Sequence, residues 1–222
     1  MKRCVITGMG IVTGLGVGKG ENLSGITLGR DAVKEISSFD TSAYKDGNAP
    51  KKTSGAEVRG FRFPQGLKKI KSARYDRAAK LVLVAADEAF REAGFHLKGG
   101  PPEDTSVILG TTLGGMISGV AYHREILAGG SGRHKHLYDY LACSQAADVS
   151  LEYGLIGQTF TISNACASGA NAIGFAFREI RSGRLPIALA GGFDTMCEFT
   201  YAGFNSLQAI TRTKCSPFDK NR

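Results

Sequence analysis

Short apolar blocks alternate along this chain with longer stretches whose apolar residues recur at helical spacing. The clearest helix is predicted over Arg74 to Ala93. There Ala78, Ala79, Leu81, Val82, Ala85, Ala86, Ala89 and Phe90 form a wide apolar face, and Gly94 supplies the stop. Helical spacing also covers Met116 to Ala128, Leu141 to Tyr153 (closed by Gly154), Ala167 to Arg181 and Phe199 to Ala209, with a shorter helix over Asn22 to Gly29. Four apolar blocks read as buried strands: Cys4 to Thr7, Ser106 to Leu109, Thr159 to Ile162 and Ile187 to Ala190. Residues 36–72 are polar with scattered Gly and Pro, which predicts an irregular insertion carrying a short strand over Ala56 to Gly60. Gly129 to Lys135 reads as a polar loop. Strands alternating with helices indicate an α/β fold, layered α-β-α around a mainly parallel sheet, for which five strands are expected.

Composition narrows the classes. The chain has 222 residues, and 42% of them are hydrophobic, an ordinary value for a globular protein. The 30 glycines lie between apolar runs rather than in a low-complexity block, so they fit tight turns and close helix–strand contacts. Net charge is +8, concentrated at Lys51, Lys52, Lys68, Lys69, Lys71, Arg74 and Arg77 and again at Arg178, Arg181, Arg184, Arg212, Lys214, Lys220 and Arg222. Zinc-finger spacing, an aromatic–basic RNA motif and a continuous basic helix are all missing, which excludes nucleic acid as the expected partner of that charge. An acidic partner protein remains open.

The five cysteines, Cys4, Cys143, Cys166, Cys197 and Cys215, are odd in number, widely spaced and form no C-x-x-C pair. Neither a disulfide framework nor a zinc site is expected, and reduced thiols imply a cytoplasmic protein. Met1-Lys2-Arg3-Cys4 passes straight into the first predicted strand without an apolar leader. No apolar run approaches the ~20 residues of a membrane span, so no membrane association is expected. Gly8-Met9-Gly10 follows a strand, as in a dinucleotide-binding turn, but the third glycine of that fingerprint falls on Thr13.

One stretch carries chemistry. Thr161-Ile162-Ser163-Asn164-Ala165-Cys166-Ala167-Ser168-Gly169-Ala170 places a cysteine between the end of a strand and the start of a helix. Backbone N–H groups and the helix dipole favour negative charge at such a junction. Junctions of this kind favour thiolate, the form that attacks carbonyls. The small neighbours Ala165, Ala167, Ser168, Gly169 and Ala170 leave the thiol approachable. A buried core cysteine is the alternative that position alone leaves open.

This run resembles the nucleophile motif of the β-ketoacyl-ACP synthases, the condensing enzymes of fatty-acid and polyketide assembly. Val5-Ile6-Thr7-Gly8-Met9-Gly10-Ile11-Val12-Thr13 is similar to that family's opening strand and turn, and Gly110-Thr111-Thr112-Leu113-Gly114-Gly115 to its glycine loop. Ala188-Leu189-Ala190-Gly191-Gly192-Phe193-Asp194 resembles the strand and turn after the nucleophile helix, and Ser216 to Arg222 the segment that leads towards the second half. Order and spacing match along nearly the whole chain, closest to the elongation (type II) synthases. Gly157-Gln158, where the family has Gly-Pro, and Gly20-Glu21-Asn22, where it has aromatic residues, leave the subfamily open.

The resemblance implies a thiolase-like fold, of which residues 1–222 are the N-terminal half of a duplicated unit. It implies that Cys166 accepts the acyl group as a thioester, with its own N–H helping to form the oxyanion hole. It places Leu113 at the floor or gate of the acyl pocket and makes Phe204 and Phe193 candidates to line the same region. Asp194 is expected to fix a turn. The partners implied are an acyl carrier protein and a second copy in a homodimer. No cofactor is expected, since substrates arrive on the phosphopantetheine of the carrier. The two histidines and the lysine that complete the family's site have no counterpart here, since His96, His123, His134 and His136 lie in no matching motif. The chain stops within a motif at Asn221-Arg222, as a truncation or a domain would. A thiolase-type acyltransferase and a non-catalytic partner subunit share the fold. Ser163-Asn164-Ala165 and Phe218-Asp219 fit the synthases better than the first, and Cys166 argues against the second.

Overall fold

The computed structural model describes residues 2–46, 49–50, 53–64, 66–67, 72–211 and 214–220. Much of the first basic cluster, Lys51, Lys52, Lys68, Lys69 and Lys71, lies outside them, as do Arg212 and Arg222. The chain divides into two compact units, Met1–Val12 with Arg62–Thr195, and Thr13–Phe61 with Met196–Arg222.

The first unit is built on a parallel sheet of strands β1 (Ser106–Gly110), β2 (Thr159–Ile162) and β3 (Ala188–Gly192), in the order β2-β1-β3. Val107 pairs with Thr159 on one side and Leu189 on the other, so β1 is the central strand and all five of its residues are buried. Successive side chains point to opposite faces. Val107 and Leu109 join Leu189 in a core beneath helices α2 (Arg77–Glu92) and α5 (Ser144–Tyr153), through Ala79, Val82, Leu83, Ala86, Phe90, Ala146 and Val149. Ile108 points the other way. With Phe160, Ile162, Ala188 and Ala190 it packs under Ala172 and Ala176 of helix α6 (Ser168–Ser182). These are the three layers expected of the α/β class, and three of the four apolar blocks read as strands form the sheet between them.

The helices begin and end where local chemistry dictates. Asp76 caps α2 by accepting from the Ala79 N–H at 2.7 Å. Gly94 and Gly154 end α2 and α5 and take up the left-handed backbone that side chains disfavour. Helix α3 spans Met116–Leu127. Helix α4 (His134–Tyr140) falls partly where a loop is expected. It is too short to show a period, and it is held by side chains instead. Lys135 pairs with Asp139 one turn on, and Arg133 anchors its start to Glu125 at 2.8 Å.

Two expectations need correction. Among the described residues the sheet has three strands, not five, and Cys4 to Thr7 is not one of them. Val5 and Ile6 are 66% and 79% exposed, so the apolar block does not enter the core. The N–H groups of Met9 and Ile11 are satisfied by the carboxylates of Glu92 and Glu88 at 2.7 and 3.0 Å, rather than by strand carbonyls. A Cβ at Gly8 or Gly10 would sit about 2 Å from the Ala89 or Ala85 carbonyl oxygen, so these glycines let the segment lie directly on α2. That packing is their role here, in place of a phosphate turn. The short strand expected over Ala56 to Gly60 is instead Ser54–Gly55, paired with Lys34–Glu35.

The second unit contains that ladder, a further one between Lys45–Asp46 and Ala49–Pro50, helix α1 (Lys19–Thr27) and helix α7 (Glu198–Ser206). Buried Asn22 of α1 donates to the carbonyls of Gly16 and Gly18 at 3.0 and 2.8 Å and so fixes the preceding glycine turn. Glu57 accepts from the N–H groups of Ser37 and Ser38 at 3.0 and 2.9 Å. Burial pushes its carboxyl up, but these bonds outweigh it and hold the group down at about 2. Tyr201 of α7 packs between Phe39 and Tyr44.

Candidate active site

Strand β2 ends at Ile162 and α6 begins at Ser168, and the five residues between them make a sharp elbow. Ala165 lies at its centre with φ of 46°, a left-handed conformation that costs a side-chain-bearing residue energy. Cys166 follows it, exposed, two residues before the helix, which starts without a side-chain cap. The thiol therefore stands at a helix N-terminus and not in the core, which settles its placement against the buried alternative.

The small residues after Cys166 serve two ends. Ala165, Ala167 and Ala170 are exposed beside the thiol. Ser168 and Gly169 instead face the sheet. A Cβ at Gly110 would lie 2.2 Å from the Ser168 backbone, and one at Gly192 would lie 2.6 Å from the Gly169 Cα. Glycine at 110, 169 and 192 thus lets the first turn of α6 rest on the ends of β1 and β3. That contact fixes where the helix starts.

A second loop meets the elbow. Thr111 to Gly115 runs from β1 into α3. Its Thr112 hydroxyl lies 3.2 Å from the Ala165 carbonyl and 3.3 Å from the Ser168 hydroxyl. The loop is held by Asp194, whose Oδ1 accepts from the Thr111 hydroxyl at 2.7 Å and from the Leu113 N–H at 2.9 Å. Thr111 in turn accepts from the Gly114 N–H at 2.9 Å. Asp194 therefore fixes a turn, as expected, and the turn it fixes is the one bearing Leu113. Leu113 is half-buried there. Phe193 packs over Gly114 and against the α2–α5 core. Phe204 is exposed on α7, which belongs to the second unit. Sequence reasoning missed Thr112, whose signal was a second hydroxyl residue inside a glycine loop.

A separate polar region lies between α2, α4 and α5. Asp139, Asp148 and Glu152 are buried, with Asp76 beside them at the start of α2. Tyr75 donates to Glu152 at 2.6 Å, and Gln145 donates to Asp76 at 3.2 Å and to the Asp139 carbonyl at 2.8 Å. Burial pushes the Asp148 carboxyl up to about 7, helped by the charges of Asp139 and Asp76. Burial likewise pushes Asp76 up to about 6, opposed by its cap bond from Ala79. Among the described residues no group of three or more His, Cys, Asp or Glu side chains is arranged to hold a metal ion. No helix there is long and apolar enough to cross a membrane.

Fold and elbow together define a class: a thiolase-like α/β unit whose cysteine stands between a strand and the helix laid over the sheet. The profile of the beta-ketoacyl synthase N-terminal domain matches residues 1–222 in full. The chain belongs to the β-ketoacyl synthase family. It is 30% identical over its whole length to a tetracenomycin polyketide synthase ketoacyl synthase alpha subunit of Streptomyces glaucescens, and covers 54% of that protein. It is 27% identical to a 3-oxoacyl-[acyl-carrier-protein] synthase 2 of Staphylococcus aureus, again covering 54% of it. Among solved structures, the ishigamide ketosynthase/chain length factor superposes with a TM-score of 0.88 at 27% identity, over 98% of this chain and 54% of that one. The chain thus spans about half the length of the curated relatives it matches.

Proposed function

We propose that this chain is the nucleophile-bearing half of a β-ketoacyl-[acyl-carrier-protein] synthase, with Cys166 as the nucleophile. The observation that carries the reading is the exposed Cys166 at the elbow before α6, in a chain that matches the family domain from end to end. The Cys166 thiolate attacks the carbonyl of an acyl thioester. The oxyanion is held by backbone N–H groups, that of Cys166 included, and the carrier's phosphopantetheine thiolate leaves. In the second half-reaction a malonyl thioester loses carbon dioxide, and its carbanion attacks the Cys166 thioester and releases the thiolate. That step draws on histidines outside residues 1–222, so the isolated chain is expected to form no β-ketoacyl product.

Leu113, held by the Asp194 turn, gates the acyl pocket in this reading. Phe193 backs the same loop, and Phe204 is a candidate on the family resemblance alone. The substrates arrive on the phosphopantetheine of an acyl carrier protein, the kind of carrier for which the Staphylococcus aureus relative is named, and no further cofactor is involved. The complete protein acts as a cytoplasmic homodimer, and its sedimentation as a monomer at micromolar concentration would count against that part. The central test is limiting alkylation of the full-length protein followed by mass spectrometry. Label is expected first on Cys166, and Cys166→Ala is expected to abolish condensation. Preferential labelling of Cys4, Cys143, Cys197 or Cys215 would overturn the assignment.

A further inference from the structure

We infer that the hydroxyls of Thr112 and Ser168 act as a clamp on the Ala165 carbonyl, and that both are positioning residues for the Cys166 thiol. The inference rests on the nucleophile reading above and names what aims that nucleophile.

The argument starts from the strain at Ala165. Its φ of 46° sits in a region that an alanine enters only when its surroundings hold it there. Two bonds from one side chain do so. Buried Ser168 accepts from the Asn164 N–H at 2.7 Å and donates to the Ala165 carbonyl at 2.7 Å. The backbone on both sides of the Ala165 turn is thereby tied to the first residue of α6.

Proton accounting then fixes the role of Thr112. The single Ser168 hydroxyl proton is committed to the Ala165 carbonyl, and its oxygen already accepts from Asn164. Thr112, 3.2 Å from that carbonyl and 3.3 Å from the Ser168 oxygen, must therefore be the donor in either contact. The carbonyl of Ala165 is gripped from the helix side by Ser168 and from the glycine loop by Thr112. Cys166 is the next residue, so the orientation of the Ala165–Cys166 peptide sets the direction of its Cα–Cβ bond. The grip also links the loop that bears Leu113 to the residue that bears the thiol.

The test uses the full-length protein and the rate of iodoacetamide labelling at each cysteine, read by mass spectrometry. The exposed Cys143 and Cys215 serve as internal references. Thr112→Val keeps the shape and removes the donor. It is expected to slow labelling of Cys166 about three- to tenfold relative to both references, the range a single net hydrogen bond spans. Thr112→Ser, which restores the donor, should return the ratio to within about twofold. Because glycine enters the left-handed region freely, Ala165→Gly should at least halve the penalty of Thr112→Val. A merely structural role for Thr112 would slow or speed all three thiols together, or follow the melting temperature. An unchanged or increased Cys166 ratio in folded Thr112→Val overturns the clamp, and so does a penalty that persists in full with Ala165→Gly. If the unsubstituted protein labels Cys143 or Cys215 first, it is the nucleophile reading that fails. If Cys166 labels first and Thr112→Val leaves the ratio unchanged, only the clamp fails.

Discussion

The elbow around Cys166 and the acidic region around Asp148 lie in the same compact unit and treat polar groups in opposite ways. At the elbow the Cys166 thiol is exposed, and a neutral hydroxyl ties the backbone on either side of Ala165. Around Asp148 the ionisable groups are themselves buried, and one Asp148 carboxylate oxygen has no hydrogen-bond partner among the described residues. Carboxyls raised to about 6 and 7 would ordinarily mark a functional site. Here they lie between helices that cover the sheet, where Asp76 caps α2 and Gln145 joins α2 to α4. A displaced titration is therefore a statement about burial before it is one about catalysis. In the proposed function the chemistry falls instead to Cys166, which backbone geometry presents to solvent.

The largest expected effect breaks the elbow from beneath. Gly110→Ala would place a Cβ 2.2 Å from the backbone of Ser168, between a central strand and a helix end that cannot both move. We expect a loss of about 3 kcal/mol or more, read as a fall in the denaturant midpoint. A variant as stable as the parent would mean that α6 is free to lift from the sheet, and the account of where the helix starts would be wrong.

Next comes the acidic region, through pH. The folded Asp148 and Asp76 carboxyls stand above their unfolded value of 3.8, at about 7 and about 6. Groups raised in this way bind protons more tightly when folded, so their contribution is full below about pH 4 and lost as pH rises through 6 and 7. Stability should fall by about 2 kcal/mol between pH 5 and pH 8, less than two independent carboxyls would give, because Asp148 and Asp76 are coupled to each other and Asp76 is partly reached by solvent. Glu57 works in the opposite sense, but its window lies between its ordinary value of 4.5 and about 2, below this range. Asp148→Asn is neutral at every pH and should flatten most of the slope. Thermal melts at a series of pH values would show it, and an unchanged slope would remove Asp148 from the region's titration.

How legible was this in the sequence? The sheet strands and the long helices could be read because their apolar residues keep one period against one core, as Ser106–Gly110 and Arg77–Glu92 do. The elbow could be read because a strand, a cysteine and a run of small residues follow one another in the chain. Cys4 to Thr7 misled because β-branched apolar residues mark a strand only where a partner strand accepts their backbone, and here α2 carboxylates take the neighbouring N–H groups. Helix α4 was hidden because its support, Glu125 and Asp139, is side-chain chemistry without a period. Thr112 was hidden because its partner lies 53 residues away in sequence. The acidic region was invisible for a similar reason, since Asp76, Asp139 and Asp148 meet only when three helices pack.

The smallest effect sharpens the comparison at the loop that meets the elbow. Asp194 is largely exposed, unlike Asp148, yet one of its oxygens receives two hydrogen bonds, from Thr111 and from the Leu113 N–H. If it acts as an acceptor and not as a charge, Asp194→Asn keeps an oxygen in place and should leave stability within about 0.5 kcal/mol of the parent. Asp194→Ala removes the acceptor and should cost about 1 kcal/mol, with faster hydrogen exchange at the amides of Leu113 and Gly114 and no change at those of β1. Equal losses for the two variants would show that the charge matters in its own right. The loop would then be held by charge, rather than by the neutral hydrogen bonding that shapes the elbow.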